Sequence, residues 1–597
     1  MRWSARVDVM RALLIGDVGG VDGYHAGDEA MLDVAIAQLR ARGPTAITVV
    51  SGNPDDTSAR YGVDAVARVG FAGRDVYSDE TRDQQLAAVL AIADGSDDAM
   101  FDTTDPRTVA ARTLVHTVAA SDAVLVAGGG NLSSSWPDQL YERVAVLLLA
   151  QRFGVPAVVS GQTIGPDLLP GHAAVLARAL AGASLVGLRE RTSYDLAAGF
   201  LPDVTRRSLQ LDDAAFLPDE LPEWIRADGA FGDGFVVLTV NPLGTGPEAE
   251  ARLDGMTDLV RSVHALTGLE IVFLPHVGEQ EAPPASGDLE VGLALRERLG
   301  DGPGLVIAPV LPARQLAWVT RRSSAVITTR YHGAVFGLTA AVPCLALYQD
   351  RYTGVKLRGA LDHAGLGAWR LPLDALRSTL ATEAFAELWT RRAEISSHLR
   401  SVTASWAEWD RAHWDDVWEA LHSAEGAPDG RHQASSRAPA AATSGTTFVT
   451  PLEPKLDGWA SATVVADAAM ARTAERELQL SAALFHAERQ ERLLQAADAA
   501  RQADQDEIAR LQGEARSFEL RRSDAEAETI QSRDDAMLAE LSAEAARSMN
   551  TELLRRLAMT DADHVAHIDE IYATKTMRWT ARPRHFYGRL RRMFGRH

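Results

Sequence analysis

Short apolar runs alternate with longer stretches of helical periodicity through the first two hundred residues. The apolar runs are bounded by Gly, Pro or Asp, which is typical of buried strands. We predict strands at residues 12–15, 46–50, 123–127, 157–160, 184–188 and 208–211, and helices that include 29–41, 141–153 and 173–181. Strands that alternate with helices indicate right-handed crossover units, and therefore a parallel sheet.

The same alternation starts again in the second third of the chain. Strands are predicted at 234–240, 270–275, 304–308, 325–328 and 343–347, separated by helices such as 251–267 and 313–321. The stretch between the two series, 217–233, is rich in Pro, Asp and Gly. The pattern therefore predicts an α/β fold with two Rossmann-like domains, 10–216 and 234–422, joined by a hinge at 217–233. The cleft between two such domains is the default place for an active site.

Composition changes at both ends of this region. Residues 1–9 are predicted to be an N-terminal extension, and 423–463, dominated by Ala, Ser, Thr, Gly and Pro, a flexible linker. Residues 464–572 contain no Pro and are rich in Ala, Glu and Arg, which predicts a long α-helical C-terminal extension. Its heptads are imperfect, since Arg501 and Asp504 fall at seam positions. Two interpretations stay open: a coiled coil that forms a homo-oligomer, or a solvated single helix.

The last segment, 573–597, holds eight Lys or Arg residues and no Asp or Glu, interleaved with aromatic residues. Such a tail either lies on an anionic membrane surface or is a disordered basic end. The chain as a whole carries a net charge of −21, which argues against nucleic acid as a partner. It lacks an apolar run of membrane-spanning length and a secretion signal. We therefore expect a cytoplasmic protein, with peripheral contact at the inner face of the membrane as a further option.

Few residues suggest metal or thiol chemistry. The single cysteine, Cys344, excludes a disulfide framework and lies in an apolar run, as expected of an inert buried thiol. No His, Asp or Glu cluster has the spacing of metal ligands, so no metal site is predicted.

Three loops of the first domain carry Gly and small polar residues where strands are predicted to end. The first leads into Asp28 and Glu29, the second is Gly128-Gly129-Gly130-Asn131, and the third contains Gln162. Glycine-rich strand-to-helix turns expose backbone N–H groups to an anion. Three consecutive glycines also permit positive φ and close approach of a ligand. Asp28 and Glu29 are equally good helix N-terminal residues, so a capping role stays open for both.

The strongest chemical signal is Arg330-Tyr-His332-Gly333, directly after the strand predicted at 325–328. Residues two apart in an extended strand face the same side, so Arg330 and His332 are expected to meet one anion near the helix that starts at Gly333. Arginine grips carboxylate or phosphate in a bidentate manner, and histidine transfers protons near neutral pH. A purely structural pairing with a carboxylate is the alternative. Arg189 and His276, each after a predicted strand, are further candidates that could also be surface or capping residues.

Seven short motifs together resemble the polysaccharide pyruvyl transferase family. They are Ala26-Gly-Asp-Glu-Ala-Met-Leu32, Gly128-Gly-Gly-Asn-Leu132, Gly161-Gln-Thr-Ile-Gly-Pro166, Leu188-Arg-Glu-Arg-Thr-Ser193, Asp213-Ala-Ala-Phe216, Leu274-Pro-His276 and Arg330-Tyr-His-Gly333. Their order and spacing match the family over 10–360, although the family usually has Asn at the position of His25. The resemblance implies a GT-B-like arrangement of the two domains across the cleft. It also implies phosphoenolpyruvate as co-substrate, no other cofactor, and a saccharide acceptor from a surface or cell-wall polysaccharide.

The resemblance also implies roles for individual residues. Arg330 and Arg189 would neutralise the donor, His332 would act as general acid, and Asp28 or Glu29 would act as base for a sugar hydroxyl. The remaining substrate-binding candidates are His276, Gly128, Gly129, Gly130, Asn131, Gln162 and Gly333. One rival is a nucleotide-sugar glycosyltransferase, which typically has acidic residues on the helix that follows the Arg-x-His pair; residues 333–343 contain none. The other rival is a catalytically degenerate scaffold for polysaccharide assembly.

Overall fold

The computed structural model describes residues 9–20, 23–73, 79–95, 106–203, 205–228, 234–280, 287–300, 302, 304–422, 452–455, 463–473, 475–476, 500–517, 543–545, 547–552 and 555–556. The chain divides into two compact units, Met1–Arg476 and Glu477–His597. The predicted tail 573–597, nearly all of the predicted extension 1–9 and most of the linker 423–463 lie outside the described residues. Among the described helices, none is both long and apolar enough to cross a membrane.

The first domain is built on a parallel sheet of order β4-β3-β1-β5-β7-β8-β9, with β6 beside β7. Its strands are β1 (Met10–Ile15), β3 (Thr45–Ser51), β4 (Asp64–Ala67), β5 (Ala123–Val126), β6 (Gly129–Leu132), β7 (Ala157–Ile164), β8 (Leu185–Leu188) and β9 (Arg207–Leu209). Its helices are α1 (Ala26–Arg42), α2 (Pro54–Tyr61), α3 (Asp79–Ala93), α4 (Pro106–Ala120), α5 (Pro137–Phe153), α6 (Pro170–Leu180) and α7 (Arg191–Ala198).

Helices cover both faces of this sheet, which explains why its strands read as unbroken apolar runs. Along β1, Leu13 and Ile15 pack into one core, together with α3, α4, α5 and α6. Ala12 and Leu14 point the other way and pack with α1. This second core continues into the next domain, so the two domains of the first unit share apolar packing.

The second domain contains a parallel sheet of order β13-β11-β10-β14-β15-β16. Its strands are β10 (Phe235–Thr239), β11 (Glu270–Phe273), β13 (Leu305–Ile307), β14 (Ala325–Thr328), β15 (Cys344–Tyr348) and β16 (Arg370–Pro372). The remaining helices are α8 (Glu223–Asp228), α9 (Gly246–Thr267), α10 (Asp288–Leu299), α11 (Ala313–Arg321), α12 (Tyr331–Thr339), α13 (Arg351–His363), the 3-10 helix η1 (Leu373–Arg377), α14 (Leu380–Thr390), α15 (Arg392–Thr403) and α16 (Trp406–His422). The predicted α/β fold with two Rossmann-like domains is confirmed.

A strand pairing and a returning helix are among the contacts that tie the domains together. A short antiparallel ladder pairs β2 (Tyr24–His25) of the first domain with β12 (Val277–Gly278) of the second. In addition, α16 returns to the first sheet, where His413 Nε2 lies 2.9 Å from Ser160 Oγ. The predicted second domain, 234–422, therefore includes a terminal helix that packs on the first domain, a crossing that periodicity does not reveal.

Part of the predicted flexible linker is bound to the second domain, which corrects that prediction. Leu452 donates its N–H to the Gly365 carbonyl (3.0 Å), and its own carbonyl accepts from the Trp369 indole (2.6 Å). Residues 463–473 then form a helix whose Asp467 contacts the Arg370 guanidinium and accepts from the Tyr348 hydroxyl (2.6 Å).

In the second unit, the described residues 500–517 and parts of 543–556 are helical. Ion pairs one turn apart, such as Arg510 with Glu507, stabilise the exposed helix surface. The coiled-coil and single-helix interpretations of this extension both stay predictions.

Candidate active site

The N-terminus of α1 lies against the second domain. Directly after the β2–β12 ladder, the Ala26 N–H donates to the carbonyl of His276 across the domain boundary (2.9 Å). The Tyr24 hydroxyl accepts from the Ala313 N–H (2.8 Å). These bonds place Asp28, in the first turn of α1, at the junction of the two domains.

His332 lies opposite this helix end, in the first turn of α12. A Cβ on Gly27 would overlap the imidazole ring, so only glycine allows α1 to approach so closely. The ring is buried, and its Nε2 lies 3.4 Å from Asp212 Oδ1. Nε2 has no hydrogen-bond partner within the described part of the chain. The sequence motif at 26–28 thus has a physical reason: it lets a helix N-terminus contact a histidine.

The expected geometry of Arg330 and His332 was wrong in one respect. Strand β14 ends at Thr328, and Arg330 is the N-cap of α12, so the two residues do not project from one face of a strand. Both residues nevertheless lie near His276. Burial is the main cause that holds the pKa of His276 well below its usual value, and the charges of Arg330 and His332 lower it further. His276 Nε2 is itself buried without a partner among the described residues.

Arg330 is held by a buried carboxylate. Its Nε donates to Asp288 Oδ2 (3.0 Å), and its Nη2 contacts Oδ1 of the same group. Asp288 is fully buried and also accepts from the N–H groups of His276 (2.9 Å) and Val277 (3.2 Å). The Arg330 side chain is 27% exposed, in contrast to the fully buried Asp288.

Arg189 does not line an open surface, although we expected it to bind substrate. It is 1% exposed and donates to Asp212 (2.7 Å), Glu190 (3.0 Å) and Thr163 (3.0 Å). Its guanidinium also stacks on the Tyr331 ring at 4.3 Å. Burial would raise the pKa of Asp212, but the nearby charges of His332 and Arg189 outweigh it and lower this pKa. His332 and Arg189 together therefore favour the ionised form of Asp212, and the bond from Arg189 fixes this carboxylate beside His332.

The two acidic residues of α1 have different surroundings. Asp28 lies 3.7 Å from His25 Nδ1, and although its burial opposes the change, His25, His332 and Lys356 lower its pKa. The contact with Asp28 in turn raises the pKa of His25. Glu29 is 3% exposed and contacts the Tyr61 hydroxyl, and burial raises its pKa. Of the two, Asp28 is the one that the structure brings to the junction.

The glycine loop of the first domain is packed rather than open. Gly128 donates to Asp213 Oδ2 (3.0 Å), Gly129 begins β6, and the Gly130 carbonyl accepts from the Tyr352 hydroxyl of the second domain (2.6 Å). None of the three takes the positive φ that glycine permits. Close approach is required, but by neighbouring side chains: a Cβ on Gly128 would lie 2.6 Å from Met31 Sδ.

The other predicted site residues have internal partners. Asn131 donates to Asp17 Oδ2 (2.7 Å), and Gln162 is fully buried and donates to the Ala127 carbonyl. A Cβ on Gly333 would lie 2.6 Å from Thr328 Oγ1, so this glycine serves the packing of α12 on β14. No three described His, Cys, Asp or Glu side chains are grouped so that they could hold a metal ion.

Three charged residues of the junction were missed from sequence: Asp212, Asp288 and Lys356. The consecutive acids Asp212 and Asp213 offered a signal, because two adjacent buried carboxylates perturb each other. Burial and the charge of Asp212 raise the pKa of Asp213 to about 8. In the sequence, Asp288 looks like an ordinary acidic residue in the first turn of a helix, and Lys356 looks like a helical lysine that faces solvent.

Comparison with known proteins gives a family match and a set of similar folds. The family model for polysaccharide pyruvyl transferase matches residues 25–351, more than half of the chain. A search of curated proteins gave no significant match.

Among solved structures, the chain is similar to the SsfS6 glycosyltransferase of Streptomyces sp. SF2575 (14% identity, TM-score 0.36, 67% of this chain and 96% of that one). It is also similar to UDP-GlcNAc 2-epimerase from Neisseria meningitidis (10% identity, TM-score 0.40, 69% of this chain and 100% of that one). A third similar structure is a putative UDP-N-acetylglucosamine 2-epimerase from Listeria monocytogenes (13% identity, TM-score 0.43, 69% of this chain and 97% of that one).

Proposed function

The chain belongs to the polysaccharide pyruvyl transferase family, and from this membership and the junction geometry we propose a specific reaction. The protein transfers the enolpyruvyl group of phosphoenolpyruvate onto a sugar of a surface or cell-wall polysaccharide precursor. The product is a pyruvyl ketal, and phosphate is released.

One observation carries the proposal: a buried imidazole, whose Nε2 has no hydrogen-bond partner among the described residues, lies beside an ionised carboxylate and two positions after an arginine that a second carboxylate holds. His332 Nε2 is 3.4 Å from Asp212, and Arg330 is oriented by Asp288. An imidazolium stabilised by a carboxylate can donate a proton near neutral pH. The guanidinium of Arg330, whose side chain is partly exposed, suits one anionic group of the donor.

The chemistry begins with proton transfer to the vinyl carbon of the donor. His332 donates this proton, and the neighbouring carbon becomes an oxocarbenium-like centre that the first sugar hydroxyl attacks. Asp28, ionised because His25, His332 and Lys356 lower its pKa, takes up the hydroxyl proton. The second hydroxyl then displaces phosphate and closes the ketal. Fixed charges that meet developing charge supply most of the rate enhancement.

Arg189 acts indirectly in this scheme. Its bond to Asp212 Oδ2 leaves Oδ1 facing His332, so it positions the carboxylate instead of touching the donor. Glu29 is engaged by Tyr61 and takes no part. These assignments narrow the four catalytic candidates of the sequence to His332, Arg330 and Asp28.

The test is phosphate release from phosphoenolpyruvate in the presence of polysaccharide precursor extracted from the producing cells. We expect release that depends on both compounds, and a product whose mass increases by one pyruvyl ketal. His332→Gln should abolish it. Turnover of a nucleotide sugar in place of phosphoenolpyruvate would support the glycosyltransferase alternative, which the absence of acidic residues from α12 disfavours.

A further inference from the structure

Lys356 occupies an unusual place on α13, at the boundary between the domains. One turn before it, Tyr352 donates its hydroxyl to the Gly130 carbonyl of the first domain, and Lys356 Nζ lies 3.3 Å from that hydroxyl oxygen. A Cβ on Gly130 would come within 2.9 Å of Nζ. The ammonium is therefore close to the first domain although its helix belongs to the second.

Among the residues that the structure describes, this ammonium is not paired with a carboxylate. Within the described part of the chain, no carboxylate oxygen comes within 4.0 Å of Nζ. Its close neighbours are the rings of Tyr352 (4.7 Å to the centroid) and Tyr331 (5.4 Å). By contrast, Arg189 is paired with Asp212, and Arg330 with Asp288.

Burial of an unpaired cation is unfavourable. Here burial, together with the charge of Arg189, lowers the pKa of Lys356 to about 8, while Asp28 acts in the opposite direction. The surroundings thus disfavour the ammonium in the unliganded protein. An anion bound next to it would relieve that cost.

The position also fits the reacting groups. Lys356 and His332 both lower the pKa of Asp28, so these two side chains of the second domain lie near the same carboxylate of the first. The donor of the proposed reaction carries two anionic groups, a carboxylate and a phosphate. Arg330 already shares its charge with Asp288, so a second cation is needed. A compact lysine ammonium matches a phosphoryl group as a point charge.

We infer that Lys356 binds the phosphoryl group of the enol phosphate donor and stabilises phosphate as it departs, an assignment that rests on the proposed function. In the departure step the bond between the former enol carbon and the bridging oxygen breaks, and its electron pair leaves with phosphate. The second sugar hydroxyl forms the new C–O bond, and the proton it loses balances the proton that phosphate gains. Lys356 is neither oxidised nor consumed.

The experiment compares Lys356→Met and Lys356→Arg with Arg358→Met in the full chain. Arg358 is a matched control, because it lies on the same helix, is 57% exposed and pairs with Asp362. Inorganic phosphate serves as the probe: its binding is measured by titration calorimetry, and its inhibition of the reaction by competition with phosphoenolpyruvate. Far-ultraviolet circular dichroism and thermal unfolding show that each variant is folded.

We expect Lys356→Met to weaken phosphate binding by about 10- to 100-fold, the effect of losing one charge-assisted hydrogen bond. The KM for phosphoenolpyruvate should rise with it. Lys356→Arg should restore much of the phosphate affinity, and Arg358→Met should match the wild type. If Lys356→Met binds phosphate as the wild type does, the inference is overturned even if turnover falls. Should Lys356→Met not fold, the same comparison with Lys356→Gln decides.

The two proposals fail separately in this experiment. If the wild-type protein binds phosphate through Lys356 but does not consume phosphoenolpyruvate, the anion site is supported and the proposed function is overturned. If the wild-type protein consumes phosphoenolpyruvate and Lys356→Met has unchanged kinetics, the proposed function is supported and the role of Lys356 is overturned.

Discussion

Replacement of Gly27 by Ala tests how the domain junction positions His332. The added methyl group would overlap the imidazole ring, and the ring has little room to rotate because it is buried against Tyr331 and Phe336. Either the ring turns away from Asp212 or α1 moves away from α12. The first movement lengthens the 3.4 Å separation between His332 Nε2 and Asp212, and the second takes Asp28 away from His332.

The predicted effect on stability is small compared with the effect on activity. Overpacking of a buried site costs about 1–3 kcal/mol. Alanine is about 1 kcal/mol more favourable than glycine within a helix, which offsets part of that cost. The net loss is therefore about 0–2 kcal/mol, whereas a displacement of about 1 Å in a catalytic group reduces the rate about 100-fold.

The assay is kcat/KM for phosphoenolpyruvate together with thermal unfolding, with Gly171→Ala as the control. Gly171 is the second residue of α6, as Gly27 is of α1, and the nearest atom to a Cβ there is 3.9 Å away. We expect Gly27→Ala to lose about 100-fold in kcat/KM, and Gly171→Ala to stay fully active. A folded Gly27→Ala protein with wild-type kinetics would refute the reasoning.

Three further predictions concern the surroundings of this contact. Asp212→Asn should lower kcat by about 100-fold with a smaller change in donor KM, because it removes the negative charge 3.4 Å from His332 Nε2; steady-state kinetics measures both constants, and a kcat equal to that of the wild type would contradict the prediction. Burial raises the pKa of Asp213 to about 8, so its neutral form stabilises the fold at low pH, and this contribution is lost between about pH 4 and pH 8. Asp213→Asn should flatten that decline in urea unfolding, and a decline as steep as in wild type would contradict it. A chain that ends after residue 476 should keep its activity, whereas one that ends after residue 422 should be less stable by about 1–3 kcal/mol, because Arg370 is buried and loses Asp467; identical melting temperatures would disprove this.

Local sequence patterns identified most of the fold because its strands are buried on both faces. A buried parallel strand such as β1 or β14 is apolar along its whole length and is followed by a turn or helix signal. Strands β4 and β6 were not predicted, because β4 is partly exposed and half of β6 is glycine; the three-residue strand β16 was not predicted either. Periodicity says nothing about contacts between distant segments, so the return of α16 to the first sheet was missed as well.

The sequence motifs indicated which segments form the candidate site, but not the contacts between their side chains. The structure brings the motif at 26–28 next to His332, through the contact between Gly27 and the His332 ring. Asp288 holds Arg330 from 42 positions away, and nothing in the local sequence indicates such a pairing. Arg189 matched its motif, yet only the structure shows that Asp212 and Glu190 surround it.

Lys356 shows a more general limit. A lysine on an amphipathic helix is usually solvated, and its neighbours along the chain give no other indication. Its environment is determined by Tyr331 and by Gly130 of the other domain, both distant in sequence. Whether a charge has a partner is a property of the tertiary structure.

The most direct test of the account follows the proton that His332 is proposed to donate. The reaction is run in deuterated water with phosphoenolpyruvate and the precursor acceptor, and the product is examined by mass spectrometry. We predict that the methyl group of the pyruvyl ketal gains a single deuterium in the wild-type protein, and that His332→Gln forms no product. A ketal without deuterium, or one formed at the wild-type rate by His332→Gln, would contradict the central claim.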